Sequence, residues 1–251
     1  MTTILITGAA SGIGKATAQL LAPTADLILW DINQDALSAT ASALNAQWAT
    51  VDCTDYDQIQ TALSTVETLH AVIHCAGVLK TGRFEQVSAA QHAKTAAINL
   101  TGTFHVVHAT LPYLHQTRGH VVMIASVSAF YGPPEFATYA ATKAGVLGFA
   151  QALRTELSDS GVHVGVVTPN LVNTPMLNEE NRANAALTQA QSPFLKTYEP
   201  EDIAKVIQRG MKKRQFLIFP DWRSRLVYIL TRYVAWIAPW LMRQTWRQAK
   251  K

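Results

Sequence analysis

Apolar residues along this chain fall into two alternating rhythms. Short runs of apolar and β-branched residues at 3–7, 26–30, 46–50, 70–75, 119–125, 162–168 and 215–219 have the length of buried strands. Between them, residues 13–22, 34–44, 55–66, 88–115, 138–159 and 200–213 have helical character. Such alternation predicts an α/β fold: a doubly wound, mostly parallel sheet of seven strands with helices on both faces. Two stretches break it. Residues 176–199, rich in Asn, Gln and Ala, suit a mobile lid more than a core element, and the chain after Pro220 follows neither rhythm.

Composition narrows the class. The chain has 251 residues, 49% of them hydrophobic and 15% charged, which excludes a disordered polymer and suits one domain. Its two cysteines, Cys53 and Cys75, form no disulfide framework and point to a reduced, cytoplasmic setting. Residues 3–7 already read as a strand, without the charged leader of a secretory signal.

The formal charge of +4 is unevenly spread. Residues 222–251 hold seven Lys/Arg, no Asp or Glu, and four of the six tryptophans. The other 221 residues hold fourteen Lys/Arg against seventeen Asp/Glu, a net −3. A slightly acidic body, residues 1–221, therefore carries a basic, aromatic tail, residues 222–251. In the tail, helical spacing puts Trp222, Leu226, Ile229, Leu230, Tyr233, Trp236 and Ile237 on one broad face. Ser224, Arg225, Tyr228, Thr231 and Arg232 fall on the other, and Pro239 interrupts the helix. The apolar core from Leu226 to Met242 is 17 residues long and contains Arg232, too short and too charged for a span of about 20 apolar residues. The pattern suits peripheral contact with a membrane surface. Packing on the domain or a sister subunit, and a role as a lid, remain open. The body shows no basic surface suited to nucleic acid.

The first strand runs into Thr7-Gly8-Ala9-Ala10-Ser11-Gly12-Ile13-Gly14 and then a helix. Glycines let backbone approach a pyrophosphate, and the helix start offers free N–H groups and a positive dipole end. Asp31 ends the second strand, 23 residues after Gly8, where an acid accepts hydrogen bonds from an adenosine ribose and repels a 2′-phosphate. Neither Ser11 nor Ile32 supplies a cation for such a phosphate, although Lys15 lies close by. NAD is therefore favoured over NADP.

A second group carries chemistry. Tyr139 and Lys143 stand four apart and share a helix face. A nearby ammonium favours a phenolate, which would let one phenol accept a proton in alcohol oxidation and donate it in ketone reduction. Ser126 follows the fifth strand and can hold a substrate oxygen as charge develops on it; Ser128 is the alternative. Other groups offer less. His70 and His74 lie about 13 Å apart along a strand, too far to share a metal. His105 and His108 lack a further ligand, so no metal site is expected. Cys53 and Cys75 have no neighbouring cation in sequence and read as inert, buried thiols.

These motifs, with Asp52, His74-Cys75-Ala76-Gly77, Asn99-Leu100 and Pro169 to Thr174, resemble the short-chain dehydrogenase/reductase family in order and spacing over about residues 3–220. The resemblance implies a Rossmann-type fold and an oxidoreductase interconverting a secondary alcohol and a ketone. It gives Asn99, Ser126, Tyr139 and Lys143 the catalytic roles, with Asn99 anchoring a water that relays protons toward Lys143. Asp52 would meet the adenine ring and Thr174 the nicotinamide carboxamide. Gly8, Ser11, Gly12, Ile13, Gly14, Asp31 and Cys53 would also border NAD, as would Cys75, Ala76, Gly77, Tyr139, Lys143, Pro169 and Val172. The resemblance further implies a homodimer or homotetramer packed through the helix containing Thr95–Leu114 and the Tyr139 helix. An apolar or lipid-like alcohol or ketone is the expected substrate.

Two positions depart from the family pattern. His74-Cys75 replaces Asn-Asn, which would remove side chains that stabilise the central sheet and border the cofactor, and Asn170 replaces a glycine. Asn is among the residues that best tolerate a left-handed backbone. The altered turn leaves a second reading open: a nucleotide-sensing protein that docks a partner through its tail.

Overall fold

The computed structural model describes residues 2–177 and 196–234, together with Trp236, Trp240 and Arg243. Most of the expected lid, residues 178–195, and the tail beyond Val234 apart from those three lie outside the described residues.

The strands are β1 (Thr2–Thr7), β2 (Ala25–Asp31), β3 (Gln47–Thr50), β4 (Ala71–His74), β5 (His120–Ile124), β6 (His163–Val167) and β7 (Leu217–Ile218). They form one seven-stranded parallel sheet in the order β3-β2-β1-β4-β5-β6-β7. The order reverses direction at β1, and a crevice opens beyond the C-terminal ends of the strands at that switch point. Register aligns Thr7 with Trp30 on one side and His74 on the other, so the glycine loop starts level with the ends of β2 and β4.

Alternating strand residues feed two apolar layers. Leu5, Val72 and Val121 pack with Ile59 of α3 (Tyr56–Leu63), Val106 of α5 (Gly102–Thr117) and Val146 of α6 (Ala137–Glu156). On the opposite face, Ile4, Ile6, Ile73 and Val122 pack with Ala18 of α1 (Gly12–Leu21), Leu37 of α2 (Gln34–Leu44) and Ile203 of α7 (Pro200–Lys212). Burial of both sheet faces explains why the strands read as continuous apolar runs.

The helical stretch expected over 88–115 is present without a break as α4 (Ala89–Ala96), a π turn at Ala97–Thr101, and α5, while one other expectation needs correction. Ser88 starts α4 with a capping box to Gln91. In the tail, α8 (Trp222–Tyr233) begins where the Asp221 carboxylate accepts the Ser224 N–H at 2.8 Å. Ser224 and Tyr228 of its supposedly polar face turn to the body, while Arg225 and Arg232 of that face stay exposed. Ser224 is buried, and the Tyr228 ring lies 5.0 Å from Phe130 and 5.7 Å from Phe219. Ring contacts with distant residues outweigh the phenol's polarity. The opposite face leaves Trp222 63% and Tyr233 78% exposed, with Ile229 also in solvent. Among the described residues, no helix is long and apolar enough to cross a membrane.

Candidate active site

A cleft of about 400 Å³ opens at the switch point. It unites residues from seven segments: Gly8, Ser11, Gly12, Ile13 and Gly14; Asp31; Asp52 and Cys53; Cys75, Ala76 and Gly77; Ser126; Tyr139 and Lys143; and Pro169, Val172 and Thr174. Of the residues expected at the site, Asn99 alone stands behind this wall, buried in the π turn.

The glycines are required by close approach. Gly8 has φ 66°, and a β-carbon there would lie 2.8 Å from Ala76 N. A β-carbon on Gly14 would overlap the Gly8 carbonyl. Ser11 is extended and its hydroxyl makes no capping bond, so the first-turn N–H groups of α1 face the cleft without side-chain partners. Asp31 is pinned at the end of β2, accepting Ala10 N and Asn33 N at 3.0 Å each. Asp52 accepts both the amide and the hydroxyl of Thr54 at 2.8 Å. A bare glycine cradle at a helix start, beside an anchored acid, fits the pyrophosphate and ribose of a dinucleotide.

The polar groups meet at the other end. Ser126, extended at the start of a short 3-10 turn, takes the Ser128 N–H at 3.1 Å, donates from Oγ to Ser128 Oγ at 3.2 Å and lines the cleft with Tyr139. Burial pushes the phenol up to about 12, and the Ser126 contact pulls it the other way. The expected lowering of this phenol by Lys143 does not hold here. Lys143 Nζ lies 5.6 Å from the Tyr139 ring centroid and donates instead to the Ile124 carbonyl at 2.8 Å. Burial brings the ammonium down to about 8, against a smaller opposing effect of Cys75.

Asn99 acts on backbone. Its Oδ1 accepts Val78 N at 2.8 Å, and its Nδ2 donates to Val78 O at 2.9 Å and Thr142 Oγ1 at 3.2 Å. Asn99 thus pins the segment after β4 to the Tyr139 helix, α6. The π turn places it there, a feature that a helical period does not reveal.

The two departures are absorbed by local bonding. His74 Nδ1 lies 2.8 Å from Thr7 Oγ1, which also accepts Ala76 N at 3.2 Å, so β4 remains tied to β1. Burial drops the imidazole to about 3, which keeps it neutral. Asn170 does not use the left-handed region; it donates from Nδ2 to Lys196 O at 3.1 Å. Burial raises both thiols to about 12.

Sequence reasoning missed the apolar end of the cleft, lined by Val78, Leu79, Ile98, Tyr131, Phe136, Met176 and Leu177, and the cation Lys94. Their adjacency to Gly77, Asn99, Tyr139 and Thr174 was the available signal.

Comparison with known proteins agrees with this geometry. The model of the short chain dehydrogenases matches residues 2–185. The chain is 31% identical over 214 residues to the 3-oxoacyl-(acyl-carrier-protein) reductase of Thermotoga maritima, covering 81% of this chain and 87% of that protein. It is 31% identical over 243 residues to estradiol 17-beta-dehydrogenase 11 of Macaca fascicularis, covering 91% and 78%. A short chain dehydrogenase from Mycobacterium paratuberculosis, solved bound to NAD, superposes with a TM-score of 0.76 at 28% identity, over 87% of this chain and 94% of that one. The chain belongs to the short-chain dehydrogenase/reductase family of oxidoreductases.

Proposed function

We propose that this protein is an NAD(H)-dependent oxidoreductase that interconverts a secondary alcohol and a ketone, with Tyr139 as general acid and base. The carrying observation is that Ser126, Tyr139 and Lys143 line one cleft together with the glycine cradle and a set of apolar side chains. When bound, the nicotinamide supplies hydride donation and acceptance. Ser126 donates to the substrate oxygen, and Tyr139 donates a proton to it in reduction. With its phenol pushed up to about 12, Tyr139 starts in the proton-donating form. Lys143 balances the charge that develops when that proton leaves. Asn99, Gly77 and Thr142 hold the backbone around the pair and lead the proton path toward Lys143.

Asp31 supports NAD over NADP, because a 2′-phosphate beside its carboxylate would meet like charge. Asp52 would accept from the adenine ring, and Thr174, above Gly12, would hold the carboxamide. Val78, Leu79, Ile98, Phe136 and Met176 favour an apolar substrate. Phe104 of α5, partly exposed and 4.7 Å from Phe149 of α6, supports a homodimer or homotetramer through those helices. The exposed Trp222, Ile229 and Tyr233, with Arg225 and Arg232 on the same short helix, support peripheral contact of the tail, residues 222–251, with an anionic membrane beside the catalytic domain, residues 1–221. The test is absorbance at 340 nm with hydroxysteroids, long-chain alcohols and 3-hydroxyacyl thioesters. Turnover with NAD above that with NADP supports the reading; binding of NADH without turnover of any substrate overturns it.

A further inference from the structure

Lys94 is a cation with no assigned partner in an otherwise apolar compartment. Among the described residues lining the cleft, it and Lys143 are the only cations. Lys143 is buried and committed to Ile124 O, whereas Lys94 is exposed at the mouth, with no carboxylate in salt-bridge range among the described residues. Lys94 and Ile98 stand four apart, and both line the cleft. Asn99 follows directly, so Lys94 sits roughly 7 Å along the helical path from the residue that braces the catalytic pair.

The charges along the cleft are sorted by end. Among the described residues, both acids of the wall, Asp31 and Asp52, flank the glycine cradle, and none stands with Val78, Leu79, Ile98, Phe136, Met176 or Leu177. An apolar chamber with one cation at its mouth binds an amphiphile, with its apolar body inside and an anionic group at the rim. A neutral substrate would gain nothing from Lys94.

We infer that the substrate is an apolar ketone or alcohol bearing one anionic group, a carboxylate or a phosphate, several atoms from the reacting carbon, and that Lys94 selects for that group. This rests on the oxidoreductase reading above. Lys94 is a specificity residue and takes no part in proton or hydride transfer.

The experiment uses the full chain with NADH and two matched probe series: 4-, 5- and 6-oxodecanoate, and their methyl esters. The wild type is expected to favour at least one acid over its ester by about fivefold in kcat/KM, the scale of an exposed ion pair. The preference should lie mainly in KM and shrink as salt is raised. Lys94→Gln should bring the acid-to-ester ratio close to one, and Lys94→Arg should keep it. An unchanged ratio in Lys94→Gln, or wild-type indifference to the carboxylate and to the matching alkyl phosphates, overturns the inference while ester turnover leaves the oxidoreductase reading standing. In parallel, decanoate and methyl decanoate binding is followed by quenching of bound NADH fluorescence, which needs no turnover. Equal affinity for the two ligands there also overturns it.

Discussion

Lys143 donates its buried ammonium to the main-chain carbonyl of Ile124, at 2.8 Å, across the end of β5. That bond holds the lysine beside Tyr139 but does not repay its desolvation, and its pKa falls to about 8 from an ordinary 10.5. A lysine held below its ordinary value costs stability wherever it is charged in both states. The cost is full below about pH 8 and is relieved as pH rises toward 10.5, where the unfolded chain still binds the proton that the fold has released. Lys143→Met should therefore raise the stability of the cofactor-free protein at pH 7 by roughly 1–3 kcal/mol while abolishing turnover. Urea unfolding at pH 7 and pH 10 checks this. The gain should narrow at the higher pH, and a loss of stability at pH 7 would contradict it.

His74 should make the protein acid-sensitive. Its folded value is about 3 against an ordinary 6.5, so between those values the unfolded chain takes up a proton that the fold refuses. Stability falls with pH across that window by about 1.4 kcal/mol per unit from this group. His74→Asn, which can still reach Thr7, should unfold at lower pH than the wild type. Acid titration by far-UV circular dichroism reads the midpoint, and an unchanged midpoint would contradict the assignment.

Gly8→Ala tests the cradle. A left-handed φ costs an ordinary residue roughly 1–2 kcal/mol, and the added methyl would press on Ala76 backbone. The variant should lose both stability and at least tenfold in NADH affinity, measured by nucleotide fluorescence. Wild-type affinity would show that the loop does not hold the pyrophosphate.

The alternation of elements was legible because both faces of the sheet are buried, which makes every strand an apolar run that composition alone exposes. The cofactor end was equally legible: Gly8, Gly14 and Asp31 obey local rules of backbone approach and strand ends. The features that were not legible depend on distant partners. Asn99 is set by bonds to Val78 and Thr142, 21 and 43 residues away, and these coincide with a π turn hidden inside a helical period. The tail helix docks through Tyr228 because Phe130 and Phe219 are there to receive it. Four-residue spacing placed Lys143 near Tyr139, but nothing local announced that the Ile124 carbonyl would claim the ammonium.

The exposed tail face predicts a salt-dependent interaction. Full-length protein should sediment with anionic vesicles at low salt and be released as salt rises. A Trp222→Ser, Ile229→Ser, Tyr233→Ser variant leaves the face docked on Phe130 intact and should stay in the supernatant. Co-sedimentation equal to wild type would assign this face another role.

The central claim is that Tyr139 moves the substrate proton. Tyr139→Phe removes one oxygen atom from the cleft and leaves the glycine cradle and Asp31 untouched. With any substrate that the wild type turns over, oxidation of NADH at 340 nm should fall by at least a thousandfold in kcat, while NADH binding stays within a few-fold of wild type. Retained turnover in the folded variant would contradict the account.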